Sequence, residues 1–265
     1  MSIIMESKNV CKNFGGLRAV DDVSTQVPEG SIFGIIGPNG AGKTTYLNLL
    51  SGAHSTTSGQ FIFLGENITN KPVHRNAKKG IARTFQQIQL FESLSVLDNV
   101  IVGFHKTEKS NMVDAIFRTK RFWREEIEIR KKGIELLEHL EMADYIDQIA
   151  SNLSYGMQRK VEIARALATS PKLLLLDEPA AGMNHNETTT LLEFIKFIRT
   201  KGYTIIVIEH DIKFILNLCD EIMVLNFGQK IAQGTPEEIR NDKKVVEAYF
   251  GTGRVAKHMG VHKDD

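Results

Sequence analysis

One run, Gly37-Pro38-Asn39-Gly40-Ala41-Gly42-Lys43-Thr44-Thr45, leaves this chain few folds to choose from. It follows the apolar stretch Ile32–Ile36 and leads into Thr44–Leu50, a segment with helical character. The glycines let successive backbone N–H groups curl around an anion, and the start of the helix adds its positive end. A loop of this kind sits between a buried strand and the helix that packs back on it, the geometry of an α/β sheet. Lys43 then offers a point charge to the β- and γ-phosphates of a nucleoside triphosphate, and Thr44 a hydroxyl to Mg²⁺.

The rest of the chain fits that frame. Short strands are expected at Ile3–Val10, Val23–Val27, Ser31–Ile36 and Gln60–Phe63, with a turn at Pro28-Glu29-Gly30 and a helix from Gly42 to about Ser51. From about Asn111 to Ala150 the character is that of charged helix, and Ile127, Ile134, Leu137 and Leu140 suggest one apolar face. After Ser154, helices at Met157–Thr169, Glu187–Thr200 and Asp211–Leu218 alternate with strands at Lys172–Asp177, Tyr203–Glu209, Glu221–Leu225 and Lys230–Gln233. That alternation predicts a parallel, doubly wound sheet. The core is therefore split in sequence, with residues 1–86 and 157–253 on either side of a helical insert, 87–156, and a polar tail, 254–265.

Four further elements carry chemistry. Leu173-Leu174-Leu175-Leu176-Asp177-Glu178 places two carboxylates at the C-terminal end of a buried strand, where ligands sit in open α/β sheets. Asp177 suits Mg²⁺, most simply through water, and Glu178 suits the polarisation of an attacking water. His210 ends the next strand and precedes Asp211, a natural helix N-cap. Leu153-Ser154-Tyr155-Gly156-Met157, continuing into Gln158-Arg159, is a Ser-x-Gly turn that opens a helix and forms a second anion site. A lone phosphate-loop monomer has no job for that turn, whereas a second copy could bring it to the γ-phosphate. Gln86, in Ala82-Arg83-Thr84-Phe85-Gln86, is a neutral amide able to touch a metal in one conformation and leave it in another.

Bulk properties exclude several classes. Formal charge is +1, so no global electrostatic case for nucleic acid exists. The longest apolar runs are far too short to span a bilayer. Met1–Val10 carries Glu6 and Lys8 without an apolar segment, so no secretory signal is expected there. Cys11 and Cys219 form no CxxC pattern and read as free thiols. The basic stretch Arg118–Arg124 reads as a solvated helix face because Glu125, Glu126 and Glu128 follow. Gly251-x-Gly253 reads as a chain-end turn, and His258 and His262 lack a carboxylate or Cys partner for a metal.

The ordered set Phe14-Gly15-Gly16, Gly37–Thr45, Gln86, Leu153–Gln158, Leu173–Glu178 and His210 resembles the ATP-binding-cassette (ABC) ATPases over about residues 5–251. The resemblance implies a phosphate-loop α/β domain with a parallel core sheet, an N-terminal antiparallel β-subdomain and an inserted α-helical subdomain. It implies that adenine stacks on Phe14, that Gly37, Asn39, Gly40, Gly42, Lys43, Thr44 and Thr45 bind ATP, and that Thr44, Gln86 and Asp177 serve Mg²⁺. Ser154 and Gly156, with Gln158 beside them, would contact ATP held by a partner subunit. Glu178 would be catalytic and His210 the switch histidine.

Phe14–Ser24, Ala82–Gln86, Leu153–Arg159, Glu162–Ala168, Pro179–Asn184 and Gly234–Ile239 narrow the likeness. Together they are similar to the larger ATPase subunit of branched-chain (hydrophobic) amino-acid uptake systems. Expected partners are a second ATPase subunit, identical or related, membrane permease subunits and, indirectly, an extracytoplasmic solute-binding protein. No nucleic-acid partner is expected. Such a subunit would sit in the cytoplasm, peripheral on the inner face of the plasma membrane. Tyr155, Met157 and Asn184 depart from the commonest ABC pattern. An ATPase of another transporter, or a non-transport ABC ATPase, stays open at this point; the intact Glu178 and His210 argue against a non-hydrolysing switch.

Overall fold

The computed structural model describes residues 2–104 and 119–250. The expected start of the charged helix near Asn111, Arg118, the Gly251-x-Gly253 turn, the tail and His258 and His262 lie outside those residues.

Two long strands, β1 (Ile3–Phe14) and β2 (Leu17–Pro28), pair antiparallel and are joined by β4 (Ser58–Phe63) and β5 (Glu66–Asn67) in the order β2-β1-β4-β5. Both opening strands run further than the apolar pattern suggests, because several shifts of register let them bend and continue past polar positions. A second sheet has the order β10-β9-β3-β8-β7-β6. Its strands are β3 (Ile32–Ile36), β6 (Ile81–Arg83), β7 (Leu173–Asp177), β8 (Thr204–Ile208), β9 (Glu221–Asn226) and β10 (Gln229–Gly234). Neighbours from β9 to β6 are parallel, but β10 pairs antiparallel with β9. The expected parallel core sheet is present, and β10 adds an antiparallel edge to it, because Phe227-Gly228 is too short for a crossover and makes a hairpin.

Every residue of β3, β7 and β8 is buried, as strands covered on both faces require. Their side chains alternate between two cores. Ile36, Leu174, Leu176, Ile205 and Val207 face a core built with the helices, while Phe33, Ile35, Leu173, Leu175, Ile206 and Ile208 face the antiparallel sheet. The helices are α1 (Lys43–Ser51), α2 (Val73–Lys79), α3 (Val96–Phe104), α4 (Lys120–His139), α5 (Tyr155–Ala168), α6 (His185–Thr200), α7 (Ile212–Leu218), α8 (Pro236–Asn241) and α9 (Lys243–Phe250).

The apolar face assigned to the charged helix needs one correction. Ile127 is 67% exposed, and the buried stripe of α4 runs through Ile129, Gly133 and Leu137 and on to Leu140. Gly133 sets this face: a Cβ there would lie 2.8 Å from Leu97, so α3 packs against the bare backbone. Asp211 caps α7 as expected, its Oδ1 accepting from the N–H groups of Lys213 and Phe214.

The register is what builds the site. Ile35 pairs with Ile208, and Ile208 with Asp177, so β3, β8 and β7 end at one level. The phosphate loop, Glu209-His210 and Glu178 therefore leave the sheet side by side, and the segment carrying Gln86 follows β6 next to them.

Candidate functional site

Two positions of the loop after β3 leave no room for a side chain. Gly42 has φ +98°, and a Cβ on it would lie 2.3 Å from the carbonyl oxygen of Ala19. At Gly37 a Cβ would lie 2.1 Å from that of Leu225. Lys43 is buried and curls back over the loop, Nζ donating to the carbonyls of Gly37 (2.7 Å) and Pro38 (3.1 Å). Burial lowers its pKa, while the charges of Glu178 and Glu209 oppose that shift. A cation parked on backbone carbonyls is a poor end state, and anionic phosphate oxygens are its better partner.

Above the loop lies a cavity of about 510 Å³ lined by Phe14, Arg18, Asn39, Gly40, Gly42, Lys43, Thr44, Thr45, Glu178 and Phe227, among others. Phe14 is 44% exposed, with Lys12 Nζ 4.8 Å from its ring centre, so a face remains for a planar base. Arg18 and the exposed Phe227 were not singled out by sequence; only the β9–β10 hairpin brings Phe227 to this place.

Glu178 has φ +45°, a left-handed conformation that costs a non-glycine residue about 1–3 kcal/mol when held by its surroundings. Its N–H donates to Ile208 (2.9 Å), which holds the turn, and Oε2 accepts from Gln86 Nε2 at 2.9 Å. His210 Nδ1 lies 3.9 Å from the same oxygen. Three positions separated widely in sequence thus meet at one carboxylate.

A second layer holds these groups, and sequence reasoning missed it. Arg83 Nη2 binds Asp177 Oδ2 at 2.8 Å, while Nη1 donates to Asn48 Oδ1 and Ser51 Oγ. Glu209 is 1% exposed and accepts the N–H groups of Ala180 (2.8 Å) and His210 (3.1 Å). Burial raises its pKa. Position beside His210 was the only signal for Glu209, and nothing in the pattern marked Arg83.

The second anion turn lies elsewhere. Ser154 caps α5 and accepts the N–H of Met157 (3.4 Å), and Gln158 Nε2 donates to the carbonyl of Leu153 (3.1 Å). Gly156 N–H approaches Glu187 Oε1 at 3.4 Å. None of Ser154, Gly156 and Gln158 lines the cavity over the phosphate loop. Asn184 caps α6 in a reciprocal box with Glu187, so an amide replaces the commoner Asp without loss of the cap.

Hard oxygen donors for Mg²⁺ are at hand: the Thr44 hydroxyl in the cavity wall, and Asp177, of which Arg83 occupies one oxygen, Oδ2. Gln86 engages Glu178 through its nitrogen, and its amide oxygen is the atom that could reach a metal. This donor set fits the ion. Beside Gln86, an apolar groove of about 400 Å³ runs between Val73, Ala77, Ile81, Phe85, Val102 and Arg165. Phe85 stands half exposed there, and Phe91, also half exposed, lies under the guanidinium of the groove-lining Arg165 at 5.9 Å.

Known proteins resemble this chain in sequence and in fold. Residues 20–181 match the family described as "ABC transporter", and residues 229–255 the one described as "Branched-chain amino acid ATP-binding cassette transporter". The chain is 40% identical over 249 residues, 94% of its length and 98% of the relative's, to the high-affinity branched-chain amino acid transport ATP-binding protein BraF of Pseudomonas aeruginosa. Among solved structures it resembles the ADP conformation of an ATP-binding cassette of an ABC transporter, with a TM-score of 0.83, 35% identity and coverage of 95% of this chain and 100% of that one. It also resembles a dimeric, post-hydrolysis cassette bound to ADP and Pi, at a TM-score of 0.69, 26% identity and coverage of 88% and 99%.

Proposed function

The chain belongs to the ABC transporter family of ATP-binding cassettes, and from that premise we propose that it hydrolyses ATP to drive uptake of branched-chain or other hydrophobic amino acids. The observation that carries the reading is a divided site. The phosphate loop, Asp177, Glu178, Gln86 and His210 gather at the C-terminal ends of the strands, while the Ser154–Gly156 turn stands apart from the cavity lined by the loop and Glu178. A second ATPase subunit placed head to tail completes each site with its own turn.

Phe14 receives the base, and the Gly37–Thr45 backbone with Lys43 takes the phosphates. Thr44, Gln86 and Asp177 would hold Mg²⁺, which supplies charge for the phosphate oxygens. Glu178 Oε2 accepts a proton from the attacking water as that water adds to the γ-phosphorus in line with the departing ADP oxygen. Gln86, bonded to that carboxylate, orients it, and His210 stands beside it, with Nδ1 3.9 Å from Glu178 Oε2 and 3.5 Å from Glu209 Oε2. ATP contacts both subunits, so it favours the closed pair; bond cleavage and phosphate release remove those differential contacts. The groove beside Gln86 would seat permease subunits, which hold the chain at the cytoplasmic face of the membrane. Cargo reaches them from an extracytoplasmic binding protein.

The test is co-expression with a candidate branched-chain permease pair. The account expects sedimentation with membranes only in its presence, and ATPase activity in proteoliposomes that rises with leucine-loaded binding protein. ATPase activity indifferent to permease and cargo would favour a non-transport ABC ATPase.

A further inference from the structure

Arg159 is the bulkiest fully buried side chain among the described residues, at 0% exposure. Its fork reaches three oxygens: Nη1 donates to Glu162 Oε2 (2.6 Å) and to the carbonyl of Phe85 (2.8 Å), and Nη2 to the carbonyl of Gln86 (2.7 Å). Glu162, 3% exposed, uses its other oxygen to accept the N–H of Gln89 at 3.2 Å. Two side chains one turn apart on α5 thus satisfy three main-chain groups of segment 85–89, which belongs to no strand or helix.

A buried ion pair is weak as a stabilising device, since apolar residues of similar volume often do as well. What it supplies here is position. Successive carbonyls bound by one planar guanidinium fix the Phe85–Gln86 peptide against α5, and no single-point donor does that. The same helix begins at the Ser154–Gly156 turn, barely more than a turn before Arg159. On the other side of the tie, the Gln86 side chain holds Glu178.

We propose that Arg159, with Glu162, is a positioning residue that locks segment 85–89 to α5, so that movement of the signature turn onto a partner's ATP is carried to Gln86 and through it to Glu178 of the same chain. The inference rests on the divided-site reading above and adds to it a route by which one site reports to the other. Arg159 and Glu162 bond segment 85–89 directly to the helix that the turn opens, and no rearrangement of the core strands is required.

Two variants test it. Arg159→Lys keeps a charge opposite Glu162 but loses the fork; the double variant Arg159→Met with Glu162→Leu removes both buried charges together. In each, hydrogen exchange at amides 87–89 should quicken while the amides of α5 keep their protection, and the affinity of the monomer for ATP should stay within about twofold because neither residue lines the cavity. ATPase turnover should fall by about tenfold, with the Hill slope for ATP dropping towards one. The decisive readout is a cycle with Gln86→Ala: its effect on kcat should shrink to under about twofold in either background, because the tie and the amide act in series. Multiplicative effects, or wild-type kcat and Hill slope in whichever variant folds, would overturn the proposal. A wild-type chain without ATPase activity would instead sink the reading on which the proposal rests.

Discussion

Replacing Arg83 by Met should destabilise the fold far more than a strand-edge substitution ordinarily does. The guanidinium pairs with Asp177 at 2.8 Å and also donates to Asn48 and Ser51, with the two charged side chains only 14% and 7% exposed. Removing one member of a buried pair costs about 3–5 kcal/mol, because the other charge is left without a partner. Against this, Arg83 Nε is buried without a hydrogen-bond partner in the wild type, and its removal returns about 1 kcal/mol. The net expectation is a loss of about 2–4 kcal/mol, read as a fall in the thermal midpoint of roughly 5–15 °C for a domain of this size. Scanning calorimetry with urea denaturation as a second probe measures it. Arg83→Lys should fall between, since an ammonium can reach Asp177 but cannot hold Asn48 and Ser51 together. Mg²⁺ with ATP should stabilise the Met variant more than the wild type, because the metal substitutes for the missing charge at Asp177. A loss below about 1 kcal/mol would refute the claim that Arg83 compensates the buried Asp177 carboxylate.

Lys43→Ala should weaken ATP binding by more than about 100-fold, the worth of two charge-assisted phosphate contacts, in a fluorescent-nucleotide titration. Ser154→Arg should leave that titration unchanged in the isolated monomer and abolish ATP-dependent pairing in sedimentation velocity; normal pairing would remove the turn's role across the interface. Glu209 has its carboxyl raised by burial, so the folded state favours its protonated form, a contribution present below about pH 4.5 and lost as pH rises through the folded value. Relative to the wild type, Glu209→Gln should therefore gain stability between pH 4 and pH 8 in urea titrations, whatever fixed cost its lost acceptor imposes. A difference independent of pH would contradict a strained carboxylate there.

The elements that were legible in sequence are those whose chemistry or burial forces a local pattern. Gly37–Thr45 needs its glycines, and Leu173–Leu176 and Thr204–Ile208 need apolar residues at every position, because both faces are covered. Segments stabilised by tertiary pairing left no such trace. β6 is three residues long and exists because Ile81 and Arg83 pair with β7; α2 is polar and short; α3 is apolar nearly all round, which a buried strand would also be. Ile127 misled because Ile129, two positions on and so nearly on the opposite side of the helix, is the isoleucine in line with Gly133 and Leu137 on the buried face. Among site residues, those proposed to meet a ligand carry recognisable spacing, while Arg18 and Phe227 reach the cavity only through the fold and Arg83, Arg159, Glu162 and Glu209 act through other residues. Their partners, at Asp177, Phe85, Gln89 and Ala180, are distant in sequence, so only the fold brings the pairs together.

The central claim, that an ATP site is completed by a second chain, is tested most directly with Glu178→Gln. This change should leave ATP binding intact, slow hydrolysis by about 10²–10⁴-fold and so preserve the closed state. Size-exclusion chromatography of the variant, alone and mixed with a candidate partner ATPase, should show a dimer with ATP and monomers with ADP. Monomers in every mixture despite confirmed ATP binding, or a dimer equally stable with ADP, would contradict the account.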